Sequence, residues 1–416
     1  MPSILPGRRT LLGCVAAAAL CQLVPAPATG GQRAGGVPSA LTTWLERPAA
    51  ERAIDAPVLA RPLDRAAAAR ALSLLSAARL RTVAEAGRAA IDAKAITLDG
   101  RTLRWESRTF GNAPAGSRSL WISLHGGGNA PAAVNDQQWR NQIRLYEPAE
   151  GIYLAPRAPT DTWNLWHEPH IDPLFQRLID YQVAVNGVDP DKVYLLGYSA
   201  GGDGVWQLAP RMADRFAAAA TMAGHPNEAR LEPVRNLPFA IFMGGADAAY
   251  DRNRIAAEKS AELAALRRAD PGGYVGLSRI YPGLPHWMNR KDAEALPWMA
   301  QFRRDPWPKR IVWVQDDVTS DRFYWLQIPP GAKVAAGDRI VATVTGQTIA
   351  LTGAVPAGTT LRLSDRLLDL DRPVTVTIDG RRAFHGRVPR TARAMWLSLL
   401  DRADPASAAS ALLPLK

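Results

Sequence analysis

The sequence contains very little cysteine. Only Cys14 and Cys21 occur among 416 residues, and both lie in the apolar N-terminal segment. If this segment is removed, the mature chain has no thiol. Disulfides, cysteine-ligated zinc and a cysteine nucleophile are then excluded. We expect no cofactor and no metal.

Long hydrophobic runs are also missing after the N-terminus. Because no later stretch approaches 18 continuous apolar residues, we predict no stable membrane span in the mature chain. At the N-terminus, Arg8-Arg9 precede an apolar run over residues 11–24, and Ala26-Pro27-Ala28 offers a small-x-small cleavage pattern. We therefore predict a signal peptide at 1–28 and a periplasmic or extracellular protein. The twin-arginine and general secretory routes both remain open.

The charges are positive overall but not grouped. The net charge is +11, yet no block of five like charges and no nucleic-acid-binding module occurs. We therefore expect no nucleic-acid partner. The 47% hydrophobic content is that of a globular protein.

Changes in hydrophobic pattern divide the remaining chain into three parts. Residues 29–95 comprise a Gly-rich leader and a helical segment, predicted to pack on the part of the chain that follows. Residues 96–308 alternate short apolar runs with helical stretches, which indicates an α/β fold with a doubly wound, mostly parallel sheet. Residues 309–416 show short strands between glycine turns, which predicts a small β-rich domain ending in a short helix and a tail.

The motif Gly197-Tyr198-Ser199-Ala200-Gly201 lies between an apolar strand and a helix-like run. A strand that turns sharply into a helix holds the serine hydroxyl at the helix N-terminus, and the glycines leave room for the neighbouring chain. This context predicts Ser199 as a nucleophile. The Ala200 amide would face developing negative charge.

A second loop, His125-Gly126-Gly127-Gly128, follows another predicted strand. Glycines let backbone N–H groups approach a substrate oxygen, so Gly126 and Gly127 are candidates for an oxyanion hole together with Ala200. A phosphate-binding loop is the alternative, but the Lys-Ser/Thr of a P-loop is missing.

The expected chain order in this architecture is serine, acid, histidine. Asp247 ends the strand predicted at 239–243, and His286 follows the strand predicted at 275–281. We therefore predict His286 as the base and Asp247 as the acid that orients it. Asp251 is the alternative acid, and Asp270 lies at the wrong end of the sheet.

Aromatic residues near these loops are candidates for substrate contact. Trp163 and Trp166 would suit an apolar or aromatic acyl group, although a core role is equally open; Tyr198 and Trp287 are further candidates. His167, His170 and Asp172 offer metal-ligand types, but Pro169 breaks helical geometry between the histidines.

Together these motifs resemble the α/β-hydrolase superfamily over about residues 96–308. The resemblance is greatest to exported esterases of the polyhydroxyalkanoate-depolymerase and feruloyl-esterase type. It implies Ser199 as nucleophile, His286 as base, Asp247 as acid, and the amides of Ala200 and Gly127 as oxyanion donors. The dienelactone-hydrolase branch has a similar fold but uses a cysteine nucleophile.

The resulting hypothesis is an exported serine hydrolase that cleaves small or polymeric carboxylic esters. A serine peptidase on the same scaffold is one alternative. The other is an inactive, polymer- or glycan-binding protein, for which exposed Trp313, Tyr324 and Trp325 would be suitable. A position of these three residues between the domains is equally open.

Overall fold

The computed structural model describes residues 36–416, so the predicted signal peptide lies outside the described residues. The N-terminal part contains α1 (Gly36–Glu46), α2 (Pro57–Ala60), β1 (Pro62–Leu63) and α3 (Arg65–Ala93). The long helix α3 begins after Asp64, whose carboxylate accepts the Ala67 N–H at 2.7 Å. It ends at Lys94, which adopts a left-handed conformation. No helix within residues 36–416 is both long and apolar enough to cross a membrane.

The centre of the molecule is an eight-stranded sheet with helices between its strands. The strands are β2 (Ala95–Leu98), β3 (Arg101–Phe110), β4 (Arg118–Leu124), β5 (Gly151–Arg157), β6 (Val188–Tyr198), β7 (Ala218–Met222), β8 (Phe239–Gly244) and β9 (Gly276–Tyr281). The helices are α4 (Ala132–Gln142), α5 (Ile171–Asn186), α6 (Ala200–Arg211), α7 (Arg252–Ala269) and α8 (Ala295–Met299).

The strand order in this sheet is β2-β3-β5-β4-β6-β7-β8-β9. Strand β3 runs antiparallel to both of its neighbours, β2 and β5, and β4 to β9 are parallel to one another. This is the α/β-hydrolase fold, and the predicted fold class is confirmed. Because the parallel strands end at the same edge, the loops after β4, β6, β8 and β9 meet there.

The C-terminal part is rich in short strands. They are β10 (Arg310–Val314), β11 (Arg322–Phe323), β12 (Leu326–Gln327), β13 (Arg339–Thr345), β14 (Thr348–Gly353), β15 (Thr360–Leu363), β16 (Val374–Ile378), β17 (Arg381–Gly386), β18 (Arg390–Thr391) and β19 (Ala411–Pro414), with α9 (Ala392–Asp401) after β18. Five strands form the sheet β10-β13-β14-β16-β17, and four form β11-β12-β15-β19. The predicted tail therefore contains a sheet strand.

Buried side chains connect these parts more closely than the sequence suggested. The main core runs without interruption from the central sheet into both C-terminal sheets. Trp313, Tyr324 and Trp325 belong to it and are buried, so the interpretation of these residues as exposed binding aromatics is wrong. Tyr324 joins the two parts, because its N–H donates to Asp214 at 3.0 Å and its hydroxyl donates to the Ala213 carbonyl at 3.2 Å. This is the role between domains that the sequence also allowed.

A second, smaller core joins the two ends of the described chain. Leu41 and Trp44 of α1 and Leu75 of α3 pack with Trp396 and Leu399 of α9. The rings of Trp44 and Trp396 meet edge to face at 5.3 Å. Strand β1 pairs with β18 beside this core. The N-terminal helices thus pack on the C-terminal helix as well as on α5 of the catalytic body.

Candidate functional site

Ser199 occupies a strained turn between β6 and α6. Its φ of 58° and ψ of −125° lie outside the regions that serine normally adopts. A Cβ at Gly197 would lie 2.2 Å from the Gly201 carbonyl oxygen, and one at Gly201 would lie 2.1 Å from that of Leu124. A side chain at either position would clash with these backbone oxygens, so both must be glycine. The turn presents the Ser199 hydroxyl at the first turn of α6.

The predicted acid and base are brought to this hydroxyl. The His286 Nε2 atom lies 2.9 Å from Ser199 Oγ, and the Nδ1 atom lies 2.6 Å from Asp247 Oδ2. The Asp247 side chain is 3% exposed, whereas that of His286 is 41% exposed. The buried Asp247 carboxylate thus orients the His286 ring, which remains accessible.

The other acids considered do not reach His286. The Asp251 side chain is 67% exposed and pairs with Arg254 at 3.2 Å. Asp270 pairs with Arg235 at 2.7 Å. The geometry therefore favours Asp247 over both.

The loop that carries His286 is attached to the serine turn through Tyr198. The Tyr198 hydroxyl donates to the His286 carbonyl at 2.7 Å and accepts the Met288 N–H at 3.0 Å. Burial raises the pKa of Tyr198, so the phenol stays protonated and can donate. The sequence predicts substrate contact for Tyr198. Its ring does line a cavity, but its hydroxyl is already occupied by the histidine loop.

The glycine loop after β4 is held from beneath by Asn135, which the sequence analysis missed. The Gly128 N–H donates to Asn135 Oδ1 at 2.8 Å, and the amide group donates to the Ala130 carbonyl at 3.1 Å and to Asp161 at 2.8 Å. Gly127 has a φ of +106°, and a Cβ there would lie 2.3 Å from Asn135 Oδ1. The loop conformation thus depends on both glycine and asparagine.

His125 anchors the other side of the same loop. Its Nδ1 donates to the Gly126 carbonyl at 2.6 Å, and Nε2 accepts the Ala158 N–H at 3.1 Å. Burial lowers the pKa of His125 to about 4, so the ring is neutral at pH 7. A neutral ring suits this pair of bonds, because one nitrogen donates and the other accepts.

Two cavities meet at Ser199 and Gly127. The larger has a volume of about 600 Å³ and is lined by α4 and the segment after it, the end of β6 and the histidine loop. Its lining includes Leu145, Tyr198, His286 and Trp287. The smaller, of about 310 Å³, is lined on the α6 and α7 side by residues that include Trp163, Ala200, Asp203, His225, Tyr250 and Arg252.

The aromatic candidates fall into different places. Trp163 is 63% exposed and lines the smaller cavity, while Trp287 is 45% exposed and lines the larger. Trp166 is fully buried, and its indole N–H donates to the His125 carbonyl at 3.0 Å. Because it lines neither cavity, the assignment of Trp166 to substrate binding is wrong. Trp166 packs in the core beneath the glycine loop.

Asp203 and His225 form a polar contact at the edge of the smaller cavity. The Asp203 carboxylate accepts the His225 backbone N–H at 2.6 Å, which connects α6 to the loop after β7. Burial raises the pKa of Asp203.

The metal-ligand types noted in the sequence do not converge. His170 Nδ1 approaches Glu168 at 3.2 Å, and His167 packs edge to face on Trp163 at 5.5 Å. Among residues 36–416, only Glu228, Asp316 and Asp317 bring three ligand atoms within 4.8 Å, and none of them lines either cavity.

Known proteins similar to this chain resemble its central part. Residues 154–270 match the family model described as Dienelactone hydrolase family. This segment includes Ser199 and Asp247. The protein named "Putative esterase NocK", from Nocardia uniformis subsp. tsuyamanensis, is 31% identical over 173 residues. That match spans 38% of this chain and 49% of the relative, about half its length.

Two solved esterase structures each cover half of this chain. A thermostable esterase has 19% sequence identity and a TM-score of 0.41, and 62% of its own chain is covered. The apo form of Thermogutta terrifontis esterase 2 has 18% identity and a TM-score of 0.36, with 91% of its chain covered. The resemblance to the α/β-hydrolase superfamily, expected from the motifs, is confirmed by the strand order and the matched family segment.

Proposed function

We propose that this α/β-hydrolase-fold protein is a serine hydrolase that cleaves carboxylic esters. The observation that carries the proposal is the continuous hydrogen-bonded array from Asp247 through His286 to Ser199, with distances of 2.6 and 2.9 Å. This array activates a serine hydroxyl, because the histidine can take its proton while the carboxylate fixes the imidazole tautomer. The esterase name of the relative from Nocardia supports the same chemistry.

In the first step, Ser199 Oγ attacks the ester carbonyl carbon while His286 Nε2 takes its proton. The resulting oxyanion would accept hydrogen bonds from the Ala200 N–H and from the glycine loop at Gly127, with Gly126 beside it. His286 then donates the proton to the leaving alcohol oxygen, and the acyl group stays on Ser199. Water repeats the sequence and releases the acid.

The test is hydrolysis of p-nitrophenyl acetate and butyrate by the mature chain and by Ser199→Ala. We expect activity to fall by at least about a thousandfold in the variant. Ser260→Ala is the matched control, since that hydroxyl bonds the Ala256 carbonyl on α7. Activity that survives Ser199→Ala would refute the proposal. The corresponding p-nitroanilides, measured alongside, would reveal a peptidase.

We also propose that the protein is exported, on the basis of Arg8-Arg9 and the apolar run that follows. Mass spectrometry of the native protein tests this. A mature N-terminus near residue 29 is expected, and an intact residue 1 in the native protein would contradict export by cleavage.

A further inference from the structure

The two cavities at Ser199 differ in their access to the general acid. His286 lines the larger cavity and does not line the smaller, whereas Ala200 lines only the smaller. We propose that the alcohol half of the ester occupies the larger cavity and the acyl half the smaller. This inference rests on the proposed ester hydrolysis and assigns a substrate class to it.

The proton transfer that ends acylation fixes the position of the alcohol half. When the tetrahedral intermediate collapses, the bond between the carbonyl carbon and the alcohol oxygen breaks. That oxygen must then receive a proton from His286 Nε2 within hydrogen-bond reach. Nε2 lies 2.9 Å from Ser199 Oγ, and its imidazole borders the larger cavity. The substituent on the leaving oxygen therefore extends into that cavity.

The acyl substituent must leave the carbonyl carbon in a different direction. The carbon also carries the oxyanion, directed at the Ala200 and Gly127 amides, and the bond to Ser199 Oγ. Ser199 and Gly127 border both cavities, so the reacting carbon lies at their junction. With the alcohol on the His286 side, the acyl chain extends toward Trp163 and Arg252 in the smaller cavity.

The volumes and walls then define the substrate class. The alcohol cavity, at about 600 Å³, is roughly twice the size of the acyl cavity, at about 310 Å³. Leu145, Tyr198 and Trp287 give the alcohol cavity an apolar, aromatic wall, while amide side chains of α4 form its polar side. Trp163 borders the acyl cavity, where the Arg252 guanidinium stacks on Tyr250 at 4.8 Å. The geometry favours esters of a short acyl group with a bulky, aromatic alcohol.

Leu145→Trp and Trp163→Ala test the two halves separately. The first narrows the alcohol cavity and the second widens the acyl cavity. Leu397→Trp is the matched control, because Leu397 is exposed on α9 and borders neither cavity. Each protein is assayed with butyrate esters of ethanol and 2-naphthol, and with p-nitrophenyl butyrate and octanoate. Burst kinetics separate acylation from hydrolysis of the acyl-enzyme.

The alcohol has left before the acyl-enzyme is hydrolysed, which makes that step the decisive measurement. For Leu145→Trp we expect kcat/KM for the 2-naphthyl ester to fall at least about tenfold, with butyryl-enzyme hydrolysis within about twofold of the parent. For Trp163→Ala we expect about a tenfold gain with octanoate relative to butyrate. Leu145→Ala, which should instead favour the 2-naphthyl ester, serves if Leu145→Trp does not fold.

The reverse pattern would overturn the assignment. If Leu145→Trp slows hydrolysis of the butyryl-enzyme as strongly as acylation, or if Trp163→Ala changes only the alcohol preference, the halves are exchanged. Ser199→Ala separates this failure from failure of the proposed function. That variant stays inactive if only the halves are exchanged, and it stays active if the serine mechanism itself is wrong.

Discussion

Replacing Tyr198 with phenylalanine removes the hydroxyl that attaches the His286 loop to the serine turn, while the ring that borders the alcohol cavity remains. Two hydrogen bonds are lost, one to the His286 carbonyl at 2.7 Å and one from the Met288 N–H at 3.0 Å. Met288 is fully buried, so its N–H cannot turn to water instead. At about 1 kcal/mol for each bond, the aligned loop loses about 2 kcal/mol relative to displaced arrangements.

This free energy corresponds to a fall in kcat of up to about 30-fold, because only the aligned loop presents His286 to Ser199. KM should change little, since the cavity wall is kept. The assay is the dependence of rate on p-nitrophenyl butyrate concentration, together with urea unfolding. Tyr281→Phe is the control. Its hydroxyl bonds the Lys291 carbonyl and Glu294 on the exposed side of the following segment. A Tyr198→Phe enzyme with unchanged kcat, or one whose loss is matched by Tyr281→Phe, would refute the reasoning.

Two further predictions concern buried charge. Burial holds the pKa of His125 at about 4 against 6.5 for a free histidine, so the unfolded chain binds the extra proton between these values. The stability contributed by neutral His125 is therefore complete above pH 6.5 and falls by about 2 kcal/mol at pH 5. Urea unfolding of His125→Asn should show a smaller loss from pH 7 to pH 5, and an equal loss would contradict the shift. Asp404 is buried against Arg304 at 2.7 Å, and Asp404→Asn should cost about 3–5 kcal/mol at pH 7. Denaturant titration measures this loss in the free energy of unfolding. A loss below about 1 kcal/mol would show that the Asp404 charge is not needed for stability.

The fold could be predicted largely because the middle strands of the central sheet, β4, β5, β7 and β8, are buried on both faces. Strands such as β7 and β8 are continuous apolar runs, and the helices between them have their own period. In the C-terminal part, where burial alternates along the strands and some turns are unusual, the strand bounds were predicted less completely. Residues 322–327 form two short strands, β11 and β12, and not one, because Tyr324 takes a φ of 52° and turns the chain back. β19 was missed because its pairing partner, β15, lies about fifty residues earlier.

The triad candidates could be found because each follows a recognisable strand in the expected order. The supporting residues could not. Asn135 and Tyr198 act through hydrogen bonds to the backbone of neighbouring loops, and nothing in the sequence around either residue specifies those bonds. Trp166 was misassigned for the same reason, since a tryptophan after a strand can enter either a cavity or the core. Its burial depends on the helix α6, whose Gly204 leaves space against the ring.

The small core that joins α1 and α3 to α9 affects how the chain can fold during synthesis. The first helices leave the ribosome more than 300 residues before Trp396 and Leu399, which cover Leu41 and Trp44. Until then α3 can pack on α5, but the apolar surface that faces α9 has no partner, so the N-terminal segment cannot complete its packing before α9 is made. Folding therefore cannot be completed from the N-terminus onward, because α1 reaches its final packing only after α9 has been synthesised. In ribosome-bound intermediates, Trp44 should be accessible to a chaperone or to solvent.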